Sequence, residues 1–229
     1  MKIFIYSEDW IHAIALQHLI CGKHTDDEFD IEIKDGISTL CRPSFHKPYA
    51  IIIDAKPSQY VSLILTLRKL YPNTFLICTQ RFFLYSDRIV SEYFGGIFLK
   101  EYDALMSGYP EVSIVDHISS QLFSGAYPPL RHFDEDYVQD ILFSLNKWLR
   151  KRLPGLISSS QALEINMKWL IRGISLRDTA RHLRKSDKLV YHYRRLMMKA
   201  LGINHYSRDY IQSLTVKAWP NSHRNNDFK

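Results

Sequence analysis

An α/β domain built on a parallel sheet, followed by an all-α domain, is the fold predicted for this 229-residue chain. Three observations predict it. Short β-branched runs alternate with helical patterns through the first half, a Gly- and Pro-rich break follows at Ser124–Leu130, and the chain after Ser158 is helical in short pieces.

The stretch "KIFIYS" is a strand, and "WIHAIALQHLIC" after it carries apolar residues at helical spacing. "FDIEIKD" and "YAIIIDA" are predicted strands, "QYVSLILTLRKLYP" a helix ended by Pro72, and "TFLICTQ" and "FGGIFLK" two further strands. Strands alternating with helices imply right-handed crossovers, hence a flavodoxin-like sheet of about five strands covered on both faces. "SGAYPPL" ends the pattern and sets the limit of this domain at residues 1–124.

In "FDEDYVQDILFSLNKWLRKRL", Tyr137, Ile141, Leu142, Leu145, Trp148 and Leu149 share one helical face, with acids in the first turn and bases in the last, as the helix dipole favours. Pro154 and Gly155 stop it. This is a linker helix within 125–155 and a candidate dimer surface. Four helical pieces follow in 156–218: "SSSQALEINMKWLIR", "SLRDTARHL", "KSDKLVYHYRRLMMKALGI" and "YSRDYIQSLTVKAW". Gly173 and Gly202 stand where a helix end takes a left-handed residue. Ser175 and Ser186 are predicted N-caps, with Asp178 as the capping-box partner of Ser175. The tight turn between the second and third pieces makes a helix-turn-helix. The polar tail at 219–229 is predicted to be disordered.

Composition bounds the function. Three cysteines at wide spacing argue against a disulfide framework and fit a reducing cytoplasm, and no CxxC or HxxxH pair suggests a metal site. The N-terminus is neither a signal peptide nor a membrane span, so a soluble, cytoplasmic protein with no membrane partner is expected. No Gly-rich phosphate loop or nucleophile triad motif points to an enzyme. Charge is uneven: residues 1–146 hold 12 Lys and Arg against 19 Asp and Glu, net −7, whereas residues 147–217 hold 16 against 4, net +12. A compact basic segment is the footprint expected for nucleic acid; the competing explanation is a surface made basic for solubility.

The segment "GISLRDTARHLRKSDKLVYHYRRLMMKALGI" resembles, without gaps, the DNA-binding pattern of the LuxR/FixJ (NarL-type) response regulators, in which G-x-S-x-x-x-I-A-x-x-L leads through S-x-K-T-V to K-L-G-V. Gly173, Ser175, Ala180, Leu183, Ser186, Lys188, Val190, Leu201 and Gly202 match. Leu189 stands where the family usually has Thr, Tyr193 where it often has His, and Leu163 replaces a usual Glu. The chain is therefore similar to divergent members, most of all accessory regulators of the RcsA and BglJ kind, which "YPNTFLI" also resembles. That kind implies pairing with a full response regulator, and the α/β domain then resembles a receiver.

On a helix from Ser186, Leu189, Val190, Leu196, Met197, Ala200 and Leu201 form an apolar stripe, while Lys188, Tyr191, His192, Arg194, Arg195 and Lys199 face away. Such a helix fits the major groove of double-stranded DNA, where Arg, His or Tyr can reach base edges. The resemblance implies base contacts for Tyr191, His192 and Arg195; packing of Tyr191 and His192 within their own domain is the alternative. Lys188, Arg194 and Lys199, with Arg177 and Arg181 on the preceding helix, are expected near phosphates, as are the amides capped by Ser186. One recognition helix covers few base pairs, so a homodimer, or a heterodimer with another LuxR-type regulator, is expected.

A receiver needs a phosphoacceptor, and Asp54, Thr79 and Lys100 stand at successive strand ends where the resemblance implies the acceptor, the hydroxyl and the lysine. Glu8 and Asp9, with Asp54, are the candidate Mg²⁺ ligands, although ungapped matching sets Ser7 in the first acidic position. The competing explanation makes Asp54 a solvated strand-end residue, in a pseudo-receiver.

Overall fold

A computed structural model describes residues 1–21, 29–44, 47–116 and 137–220. The break at Ser124–Leu130, and with it the predicted boundary at residue 124, lies outside the described residues, as does the tail from 221.

Five strands form one parallel sheet: β1 (Lys2–Tyr6), β2 (Asp30–Lys34), β3 (Ala50–Ile53), β4 (Phe75–Gln80) and β5 (Ile97–Glu101), in the order β2-β1-β3-β4-β5. The central strands read as near-continuous apolar runs, as expected of strands buried on both faces. Every residue of β3 is buried. One face, carrying Ile3, Ile5, Ala50, Ile52, Ile77 and Phe98, is covered by α1 (Trp10–Cys21) and α5 (Tyr102–Met106) through Ala13, Leu16, Ile20 and Leu105. The other face, with Phe4, Tyr6, Ile51, Ile53, Leu76 and Cys78, packs against α2 (Ile37–Leu40), α3 (Val61–Leu70) and α4 (Tyr85–Phe94). The predicted strands are all present. Helix α4 has no counterpart among the sequence predictions.

The C-terminal region is all helical: α6 (Val138–Arg152), α7 (Ser160–Lys168), α8 (Leu176–Leu183), α9 (Asp187–Ala200) and α10 (Tyr206–Ser213). The α/β receiver-like domain followed by an all-α helix-turn-helix domain is thus the observed architecture. Along α6, Ile141, Leu145 and Leu149 are buried against α3 and α4, whereas Tyr137 is exposed because it precedes the helix as its N-cap with extended backbone. Tyr93 and Trp148 pack ring to ring, and Arg152 pairs with Glu92.

The predicted helix over 206–219 ends at Ser213. Beyond it the backbone turns to the receiver-like domain: Lys217 N donates to Ser58 O at 2.8 Å, and Val61 N and Ser62 N donate to Lys217 O and Ala218 O. The ring of Trp219 meets that of Tyr60 edge to face. These partners replace the helical bonds that the apolar pattern at Leu214 and Val216 would otherwise have continued. No helix among the described residues is long and apolar enough to cross a membrane.

Candidate functional site

The outward face of α9 is positioned by its two ends and its buried stripe. At the start, Ser186 Oγ accepts from Leu189 N at 3.3 Å, satisfying one orphan amide, and Asp187 adds negative charge where the dipole favours it. The turn from α8 is closed by Arg184 in the left-handed region, φ 51°, with Arg184 N and Lys185 N donating to Arg181 O and Ala180 O. At the far end Gly202, φ 65°, ends the helix. Ser175 caps α8 by accepting from Asp178 N, while its own hydroxyl donates to the Asp178 carboxylate at 2.6 Å, so the predicted capping box closes between side chains.

Val190 and Met197 are fully buried beneath α9. Asn166 on α7 donates to Tyr193 O at 3.0 Å and accepts from the buried Tyr210 hydroxyl, tying α7, α9 and α10 together. Tyr193 donates to Gln161 at 2.6 Å. With the inner face so fixed, the opposite side presents Lys188, Tyr191, His192, Arg195 and Lys199, all exposed. Residues 188, 191, 192 and 195 are three or four apart and so form one patch. Tyr191 is 48% exposed, which sets it outside the core.

The remaining candidates differ. Arg177 is exposed, and Arg181 pairs with Asp178 at 3.4 Å. Arg194 is half-buried: its guanidinium lies 4.1 Å from the ring centroid of Tyr206 and 5.0 Å from that of Tyr191, and its buried Nε has no hydrogen-bond partner among the described residues. It braces the helix against α10 from below the exposed patch.

A second cluster lies at the C-terminal edge of the sheet. Asp54 follows β3 with its side chain 5% exposed, and both of its oxygens have partners. Oδ2 accepts from Ser7 Oγ at 2.7 Å and lies 3.1 Å from His12 Nδ1; Oδ1 accepts from Gln80 Nε2 at 3.0 Å and from the Tyr102 hydroxyl. Burial raises the Tyr102 phenol well above its ordinary range, its bond to Asp54 adds to this, and the Thr79 hydroxyl pulls the other way. Thr79 is fully buried, and Lys100 is held below the ordinary lysine range by burial, with no ion pair among the described residues.

The two further carboxylates proposed for Mg²⁺ are engaged by other groups. Glu8 accepts from the Tyr60 hydroxyl at 2.6 Å, and Asp9 Oδ1 accepts from Ile11 N at 2.8 Å at the start of α1. Among the described residues no three Asp, Glu, His or Cys side chains form a group that could hold a metal. The structure therefore brings Asp54, Thr79 and Lys100 to one edge but leaves Glu8 and Asp9 on other partners. Gln80, His12 and Tyr102, which complete the Asp54 cluster, are not among the sequence candidates; their signal is positional, since Gln80 ends β4, Tyr102 follows β5 and His12 lies in the first turn of α1, which starts at that edge.

The sequence matches no family model and no curated protein. Solved structures do resemble the fold. The two-component response regulator RcsB in a DNA complex is 16% identical, with 94% of this chain and 99% of that chain covered and a TM-score of 0.53. RcsB from Salmonella enterica serovar Typhimurium, bound to promoter rprA in the presence of phosphomimetic BeF3−, gives 16% identity, coverages of 94% and 100%, and a TM-score of 0.54. A structure of two RcsB dimers bound to two parallel DNAs gives 16%, coverages of 94% and 99%, and 0.54. At this identity the likeness is one of fold, and it extends over both domains.

Proposed function

We propose that this protein is a sequence-specific regulator of transcription of the LuxR/FixJ type, which binds double-stranded DNA as a dimer through α9. Residues 1–124, 125–155 and 156–218 are its receiver-like, linker and DNA-binding parts. The observation that carries this reading is the exposed patch of Lys188, Tyr191, His192 and Arg195 on a helix capped at its start and pinned from beneath. In this assignment Tyr191, His192 and Arg195 face base edges, while Lys188, Lys199, Arg177, Arg181 and the capped amides at Ser186 hold phosphates. Arg194 contributes charge near the backbone from its seat on Tyr206.

Arg195→Ala then weakens specific binding by about 1–3 kcal/mol and relaxes preference at one base pair, whereas Lys188→Ala weakens all sequences alike and lowers the salt slope by about one. A fluorescence titration on target and scrambled duplexes at several salt concentrations measures both. Equal losses on both duplexes for Arg195→Ala would remove it from the base-reading set.

The receiver-like domain, in this proposal, works without phosphorylation and supplies pairing. Trp10 and Ile11, 65% and 73% exposed at the start of α1, favour an accessory role beside a homologous regulator. Sedimentation of the pure chain, alone and mixed with a response regulator of the same fold, separates self-pairing from hetero-pairing.

A further inference from the structure

Helix α4, the end of α6 and the turn after α9 enclose a cleft of about 730 Å³ between the two domains. That is within the range of small-molecule sites. Its floor is apolar, with buried Phe83 and Ile89, and Leu156 stands 46% exposed on its wall. Its rim carries Arg88, Arg152 and Lys199 against one carboxylate, Glu92, which Arg152 already engages. Arg88 and Lys199 are exposed and make no ion pair among the described residues. The Tyr85 hydroxyl, on another lining residue, is buried with no hydrogen-bond partner among the described residues. Buried hydroxyls are nearly always partnered, because an unmet donor or acceptor loses its water for nothing.

An apolar floor, two uncompensated cations and a donor without an acceptor call for the same complement. We propose that this cleft binds a small amphipathic anion: a carboxylate, sulfonate or phosphate group on an aromatic or acyl body. Arg88 and Lys199 hold the charge, Tyr85 donates its hydroxyl to an anionic oxygen, and the body lies on Phe83, Ile89 and Leu156. The ligand bridges α4 to the end of α9, and it draws Lys199 away from a DNA phosphate. That last consequence rests on the DNA-binding reading; the binding site itself does not.

The test uses the full chain without DNA, with 1-anilinonaphthalene-8-sulfonate as the charged probe and N-phenyl-1-naphthylamine, which lacks the sulfonate, as its control. The sulfonate binds at one site and about tenfold more tightly than the uncharged probe, and Arg88→Ala and Tyr85→Phe each weaken it about tenfold. Tyr85→Phe melts no lower than the parent chain, since it deletes an unmet hydroxyl, so its lost probe affinity reports a ligand contact rather than damage to the fold. Equal affinity for the two probes, or full affinity in both variants, overturns the site. DNA titrated at saturating sulfonate then loses affinity if Lys199 is shared. Intact probe binding with no DNA binding at all would instead sink the DNA-binding reading and leave the cleft standing.

Discussion

Asp54 keeps the strand-end position expected of it, with both carboxylate oxygens engaged by neighbouring side chains. A carboxylate must present a free oxygen to attack a phosphodonor, and here Ser7, Gln80 and Tyr102 donate to it with His12 alongside. Incubation with acetyl phosphate and Mg²⁺ is expected to leave the intact mass and the oligomeric state unchanged; an added phosphoryl group would show that these bonds open readily. Asp87 makes a different use of burial. Its carboxylate accepts from Ser58 N at 3.1 Å and Leu84 N at 2.8 Å, yet desolvation dominates and holds its carboxyl above the ordinary range. The folded state therefore holds this proton more tightly than the unfolded chain. The stability it contributes is present at acid pH and is lost as pH rises from near the unfolded value through the folded one. Urea denaturation at stepped pH should show the parent chain losing stability relative to Asp87→Asn over that interval.

At the scale of elements, much was legible and the failures are instructive. The alternation of β-branched runs and helical patterns gave all five strands, because a parallel sheet buried on both faces leaves its composition in the sequence. The caps at Ser175 and Ser186 and the left-handed ends at Gly173 and Gly202 were legible because they are local. Helix α4 was not, since its first turn buries Asp87 to hold amides of distant Ser58 and nearby Leu84, and a charge on the inner face breaks the apolar period. The end of α10 was misplaced for the same kind of reason: Lys217 and Ala218 find backbone partners more than 150 positions away. Of the Asp54 cluster, the strand-end residues were legible and the donors were not, because their convergence is set by strand order. Two changes test the element-level argument. Arg184→Gly removes the cost of a side chain in the left-handed region and should raise stability by about 0.5–1 kcal/mol in chemical denaturation. Leu145→Ala, in the buried seam between α6 and the receiver-like domain, should cost about 2–5 kcal/mol by the same measurement.

Across the whole molecule, one apolar cluster runs from the α3–α4 face of the sheet through Ile141, Leu145 and Leu149 to Ala162, Val190 and Met197. Continuous burial predicts that both domains melt together in a single transition rather than as two. Lys217→Pro deletes the donor to Ser58 O and should cost about 0.5–1.5 kcal/mol, with calorimetry showing the transition begin to separate. Ser86 Oγ on α4 also donates to Gln212 O at 2.7 Å, so the end of the helical domain is held both at the loop that follows Asp54 and at α4. Chimeras of two-domain proteins are commonly cut in the linker, with the halves treated as interchangeable parts. Here the docking surface for 58–62 is supplied by residues 217–219, far downstream of any such cut. Transplanting this helical domain onto another α/β domain would carry half of a mated pair, and a stable graft must move the loop at 58–62 with it.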